Sequence, residues 1–311
     1  MLSTLTVVLP IFALIFVGWG ARRSGVLGPN STSELNRFVV YLALPALLFD
    51  IIGHASWADV WQPGFIATFG LSTAVIFVLA LLVRLRRPLH LADAAIDGLN
   101  ASYANTGFIG FPLALVALGR GALAPTLVAT IITVCVLFAA AIILIEIGLQ
   151  TEARRSRLVL KVGRSLLRNP LLMAPLLGAL IPIFGVTIPA PVETFLKLLG
   201  GAASPCALVA LGLFLATERD TSARDTFGTV FLVGAKLVLQ PVVAWLLATR
   251  VFGLPPLLTH AAVLLSALPT GTGPFMLAEF YRREASVTCN AILVSTVVSI
   301  VTVSVYLSLA G

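Results

Sequence analysis

Ten stretches of this chain read as runs of about 20 largely apolar residues, long enough at ~1.5 Å per helical residue to cross a ~30 Å hydrocarbon layer. They fall at 4–22, 35–53, 63–83, 92–118, 123–149, 169–187, 191–217, 227–251, 257–281 and 286–309. The first lacks a basic leader and a small-residue cleavage site, so it reads as a retained span. Of the 311 residues, 59% are apolar and 11% charged, with a mean hydropathy of +1.05. Ordinary soluble domains carry roughly 25% charged residues. A soluble globule, a disordered chain and a collagen-like chain are excluded, which leaves an all-α integral membrane protein.

The basic residues alternate along the chain. Arg22, Arg23 and Arg37 fall in the first connection, Arg84, Arg86 and Arg87 in the third, and Arg154, Arg155, Arg157, Lys161, Arg164 and Arg168 in the fifth. Arg219 and Arg224 lie in the seventh, and Arg282 and Arg283 in the ninth. The even connections hold only Arg120 and Arg250. By the positive-inside rule the odd connections are cytoplasmic and both termini extracytoplasmic. That rule also explains the formal charge of +7. Short basic loops without a basic domain or interleaved aromatics give no nucleic-acid surface.

The chain resembles itself. At a shift of 160, Pro10 matches Pro170, Gly18 matches Gly178, Pro29 matches Pro189 and Pro45 matches Pro205. At a shift of 164, Ser102 matches Ser266, Thr106-Gly107 matches Thr270-Gly271, and Phe111 matches Phe275. A unit of five spans is odd, so its second copy is inverted, the plan of many secondary transporters. The expected division is 1–149 for the first repeat, a basic cytoplasmic linker at 150–168, and 169–311 for the second repeat.

Spans 4 and 9 are each interrupted near the middle, by Asn105-Thr-Gly-Phe-Ile-Gly-Phe-Pro112 and by Pro269-Thr-Gly-Thr-Gly-Pro274. Glycine and proline free backbone groups there, which survive only inside protein or beside a water-lined cavity. Pro112 and Pro274 fit the first turn of a second half-helix, with Gly110, Pro269 and Gly273 completing the crossovers. Half-helix N-termini carry free N–H groups and positive dipole ends, the makings of an anion site. Candidate ligands are Asn100, Asn105, Thr106, Gly107, Thr270, Gly271, Thr272 and Asn290; Thr270, Thr272 and Asn290 could instead satisfy freed backbone groups. Lys236 lies ~14 Å into span 8, where a charge costs about 2.5–3.5 kcal/mol. It is expected to support the crossover electrostatically, and Asp97 is either a first-turn acid or a proton-coupling group. Glu279 is expected to pair locally with Arg282 and Arg283. No catalytic residues, cofactor or metal site are expected: the three cysteines and three histidines are scattered, and no nucleophile–base motif occurs.

Leu35-Asn36-Arg37-Phe38-Val39 with Leu44-Pro45, Asn105-Thr106 with Gly110-Phe111-Pro112, and Ala267-Leu268-Pro269-Thr-Gly-Thr-Gly-Pro274-Phe275 together resemble the auxin efflux carrier family. Leu211-Gly-Leu-Phe214 and Lys236-Leu-Val-Leu-Gln-Pro241 are similar to that family's spans 7 and 8. The resemblance implies a carrier of small organic anions, such as malate, malonate or auxin-like acids. It also implies a scaffold of spans 1, 2, 6 and 7, an elevator mechanism and a homodimer, here in a bacterial inner membrane. The chain has Tyr103-Ala104-Asn105 where the plant exporters have Leu-Pro-Asn, a change expected to bear on substrate shape. The alternatives are a sodium-coupled symporter of the bile-acid type, which shares the inverted-repeat plan, and a membrane sensor without transport.

Overall fold

The computed structural model describes residues 2–55, 60–87, 89–150, 163–164, 166–216, 225–283 and 285–310, so most of the 150–168 linker lies outside the described residues. Every regular element among them is helical. The helices are α1 (Leu2–Arg23), α2 (Ser31–Gly53), α3 (Pro63–Leu85), α4 (Leu91–Ser102), α5 (Thr106–Leu118) and α6 (Arg120–Leu149). They continue with α7 (Pro170–Phe184), α8 (Ala190–Leu215), α9 (Thr226–Val251), α10 (Pro256–Ser266), α11 (Gly273–Phe280) and α12 (Ser286–Ala310). By length and composition α2, α3, α6, α8, α9 and α12 can each cross a membrane. With 12 residues in α4, 11 in α10 and 8 in α11, these pieces are too short to span alone, as is α5.

The first break lies further upstream than Pro112 suggests. The second half-helix begins at Thr106 with a widened π-type turn, Thr106–Gly110, and Pro112 sits in the α-helical stretch after it. Similar turns at Val39–Ala43 and Ala235–Leu239 precede Pro45 and Pro241. Proline lacks an N–H, and its ring crowds the carbonyl four residues back, so the turn before it widens.

Three helix pairs pack at backbone distance. A Cβ on Gly18 of α1 would fall 2.2 Å from the Val209 carbonyl oxygen of α8, and one on Gly212 of α8 would fall 2.0 Å from that of Ile15. A Cβ on Gly178 of α7 would fall 2.8 Å from the Phe49 carbonyl oxygen of α2. Gly200 of α8 meets Leu47 of α2 in the same way. Lipid is as apolar as the helix surfaces, so van der Waals contact over small residues holds such helices together.

The remaining helices form a second group, with α4 packed against α3 and α6, and α9 against α10 and α12. Arg84 belongs to the last turn of α3, not to a loop, and is buried. Its Nε donates to Asp97 of α4 at 2.6 Å, and its NH1 to Asp225, the residue before α9, at 2.5 Å. Asp97 is therefore one member of a buried ion pair between helices. Arg283 reaches Asp93 of α4 through two hydrogen bonds, a partner far outside its own turn. Burial pushes the Asp225 carboxyl up, but the Gly228 N–H and the Arg84 and Arg87 guanidinium groups outweigh it, leaving the group below its ordinary range.

Two outcomes follow from this packing. Gly18→Ala or Gly212→Ala should lower detergent-solubilised stability by about 1–3 kcal/mol, the cost of overpacking. Gly20→Ala, with nothing within 4 Å of the added carbon, should be neutral or stabilising in the same melting assay. The Asp225 contribution should be complete above the unfolded carboxylate value of about 3.9. It should be lost as pH falls through the lower folded value, because the folded state then takes up the proton less readily. Asp225→Asn should remove that acid dependence from the melting curve.

Candidate functional site

After Ser102 the chain leaves the helix, with Tyr103 at φ −79°, ψ 93°. After Ser266 the second break runs through Ala267–Thr272. The two broken segments lie antiparallel, Ala104 opposite Thr270. Asn105 N–H donates to the Pro269 carbonyl at 2.9 Å, and Gly271 N–H donates to the Tyr103 carbonyl at 3.0 Å. Each break thus supplies partners that the other has lost.

Side chains complete the seal. Thr270 Oγ1 donates to the Asn100 carbonyl at 2.7 Å, and Thr270 N–H donates to Ser295 Oγ at 3.1 Å. Asn100 Nδ2 donates to Thr288 Oγ1 at 2.9 Å and to Asp97 Oδ1 at 3.3 Å, joining the crossover to the Arg84 ion pair. On α9, Lys236 Nζ donates to the Ser266 carbonyl at 2.6 Å. One turn on, Gln240 Nε2 donates to the Ser102 carbonyl at 3.3 Å and to Thr73 Oγ1 at 3.2 Å. Ser102 and Ser266 are the last residues of α4 and α10, so one face of α9 caps the negative ends of both first half-helices. Lys236 is wholly buried.

A cavity of about 350 Å³ lies between the crossover and the α1, α2, α7, α8 group. The crossover contributes Tyr103, Asn105, Thr106, Gly107, Phe108, Gly271, Thr272 and Gly273; α2 contributes Leu44, Leu47 and Ile51; α8 contributes Gly200, Ser204 and Ala207. Both second half-helices begin at its wall. In α5 the Thr106 N–H turns back to Ala104, and the Ile109 and Gly110 N–H groups share the Asn105 carbonyl. The Gly107 and Phe108 N–H groups are left without a partner among the described residues. In α11 Pro274 has no N–H and Met276 bonds to Thr272, leaving those of Gly273 and Phe275. Thr106 Oγ1 is buried without a partner among the described residues.

Of the candidate ligands, Asn105, Thr106, Gly107, Gly271 and Thr272 come together on this wall with Gly273. Asn100 and Thr270 are wholly buried in the hydrogen bonds that hold the bridge. Asn290, half-buried on α12, does not line the cavity, and neither do Lys236 and Asp97. Gly110, Pro112, Pro269 and Pro274 shape the backbone of the two breaks. Sequence reasoning missed Gln240, whose signal is its position four residues after Lys236 on one helix face. It also missed Thr130 of α6 and Ser204, whose place at the cavity depends on tertiary packing.

A family model described as membrane transport protein matches residues 3–307. The chain belongs to that family, which includes the auxin efflux carriers. It is an integral, multi-pass membrane protein of a transporter family, not an enzyme family. It is 31% identical over 301 residues to a protein of Rhizobium meliloti (strain 1021) named "Putative malonate transporter", covering 96% of this chain and 92% of that one. An uncharacterized transporter of Methanocaldococcus jannaschii is 23% identical over 312 residues, 96% of each chain. Auxin efflux carrier component 1 of Arabidopsis thaliana is 29% identical over 165 residues, 52% of this chain and 26% of the plant protein.

Removing the ammonium from α9 leaves the Ser266 carbonyl unmet, at a cost of about 1–3 kcal/mol. Lys236→Met should therefore lower the melting temperature and slow transport of every substrate alike, while Lys236→Arg retains part of both. A Lys236→Met protein of full stability with altered substrate preference would make Lys236 a ligand instead.

Proposed function

We propose that the protein is a secondary transporter of small organic anions, with the crossover cavity as its carboxylate site. One observation carries this reading: the N-terminal ends of both second half-helices, with free N–H groups, open onto one cavity beside Asn105, Thr106 and Thr272. Helix N-termini favour negative charge, and a low-dielectric wall strengthens that preference. The name of the Rhizobium meliloti relative points to the same substrate class.

The ten spans form two inverted repeats, 1–149 and 169–311, joined by the basic cytoplasmic segment 150–168. Two symmetric details support the repeat. Gly18 packs on Val209 and Gly178 on Phe49, and both the glycines and their partners are 160 residues apart. Under the second shift, 164, Asn105 corresponds to Pro269, the pair joined at the crossover. A two-fold axis through that pair relates the two breaks.

The α1, α2, α7, α8 group is the fixed scaffold, and the remaining helices carry the site past it in an elevator movement. The position of the cavity between the two groups supports this division. Along α11 the groups are tied together: just past its end Tyr281 donates to Glu146 at 2.8 Å and accepts from Asn169 at 3.3 Å, and in its middle the Met276 carbonyl accepts from Asn36 at 3.4 Å. The scaffold is also the surface of a homodimer. The carrier resides in a bacterial inner membrane, with both termini extracytoplasmic.

Uptake of labelled malonate and other carboxylates into proteoliposomes, with and without sodium, a proton gradient and a membrane potential, tests the activity. Binding confined to neutral or cationic solutes would overturn it. Losing one hydrogen bond to a charged group costs about 1.5–3 kcal/mol. Asn105→Ala should accordingly weaken carboxylate binding roughly 10- to 150-fold with little loss of folded protein. Unchanged affinity would remove Asn105 from the site.

A further inference from the structure

Tyr103 is a cavity residue whose chemistry the anion reading leaves unused. Its backbone is fixed, because its carbonyl accepts from Gly271 in the crossover bridge. Its ring is fixed as well. A Cβ on Gly271 would fall 2.8 Å from the ring, and one on Gly273 would fall 2.6 Å from it, so the phenol lies flat on the two glycines of Thr270-Gly-Thr-Gly273. Phe138 of α6 packs at 5.6 Å between ring centroids. Only glycine leaves room for this ring, and its place is built into both breaks at once.

Tyr103 is 6% exposed, and among the described residues its hydroxyl makes no hydrogen bond. It lies at the start of α11, 2.8 Å from where a Cβ on Gly273 would be. The same cavity is lined by Asn105, the Thr106 hydroxyl, unpartnered among the described residues, and the free N–H groups of α5. The cavity therefore offers two donor clusters, one on each half-helix, and each suits a carboxylate.

We propose that Tyr103 selects dicarboxylates over monocarboxylates by donating its hydroxyl to the second carboxylate of the solute. This rests on the reading of the cavity as an organic-anion site. A solute carboxylate at Asn105 and Thr106 leaves its other end facing the phenol. A dicarboxylate completes that hydrogen bond. A monocarboxylate of the same length leaves the hydroxyl buried and unmet, and sites built around such a hydrogen bond discriminate strongly against partners that lack it.

The test compares malonate with propionate, two three-carbon acids that differ by one carboxylate, on purified wild-type protein and Tyr103→Phe. The substitution keeps the ring and its packing, so the melting temperature should not change. Tyr103→Phe should weaken malonate binding about tenfold or more while leaving propionate within about twofold. Gly273→Ala, which pushes the ring from its seat, should reduce the preference in the same direction. Wild-type protein that binds both acids equally, or a Tyr103→Phe change that weakens both alike or neither, would overturn the selection while leaving the anion site standing. Wild-type protein that binds neither acid would overturn both.

Discussion

Peptide groups within a bilayer must find partners inside the protein, and this structure depends on how two interrupted helices meet that demand. An unmet backbone group in hydrocarbon costs several kcal/mol. Neither break can satisfy itself, because each contains glycine and proline where a helix would need continuous hydrogen bonding. Placed antiparallel, the Tyr103–Asn105 and Pro269–Gly271 segments exchange N–H and carbonyl groups. Pairing leaves the free N–H groups of α5 and α11 at one cavity, so the arrangement that stabilises the backbone also gathers two positive dipole ends there.

Around that bridge, several supports act on helix ends. Lys236 and Gln240 meet the last carbonyls of α10 and α4. Asn100 and Thr270 tie α4 to the second break, and through Asp97 the network continues to Arg84 and Asp225 near the membrane edge. A buried lysine is costly alone but tolerable where the carbonyl at the negative end of α10 accepts from it. The glycine contacts of α1 with α8 and of α2 with α7 build a separate, tightly packed group against which the crossover unit rests.

Much of the candidate site was legible in the chain itself. Asn105, Thr106, Gly107, Gly271 and Thr272 stand beside helix breakers in the middle of apolar runs, and backbone freed at that depth must line a cavity or be buried in protein. Asn100, Thr270 and Asn290 carry equally polar groups close by in sequence. Only the packing separates them from the cavity, because a helix residue's facing depends on which neighbour its helix meets. Pro112 marked a break without locating it: the π-type turn ahead of the proline moves the start of α5 to Thr106. Arg84 read as a loop charge because charge near the end of an apolar run signals the interface. Its burial becomes possible only once Asp97 and Asp225 come to it from other helices.

The sequence by itself determined that this chain is a helical membrane protein, since the length and apolarity of its runs admit no soluble fold. It also determined that two runs are interrupted, because proline has no N–H and glycine disfavours helix in any context. Tertiary structure decided what those interruptions face. The pairing of Ala104 with Thr270, the capping of both half-helices from α9, and the seat of Tyr103 on Gly271 and Gly273 join residues 30 or more positions apart. Local propensity is silent about such contacts. They form because the backbone groups left open by one break find their partners in the other, and that match exists only in three dimensions.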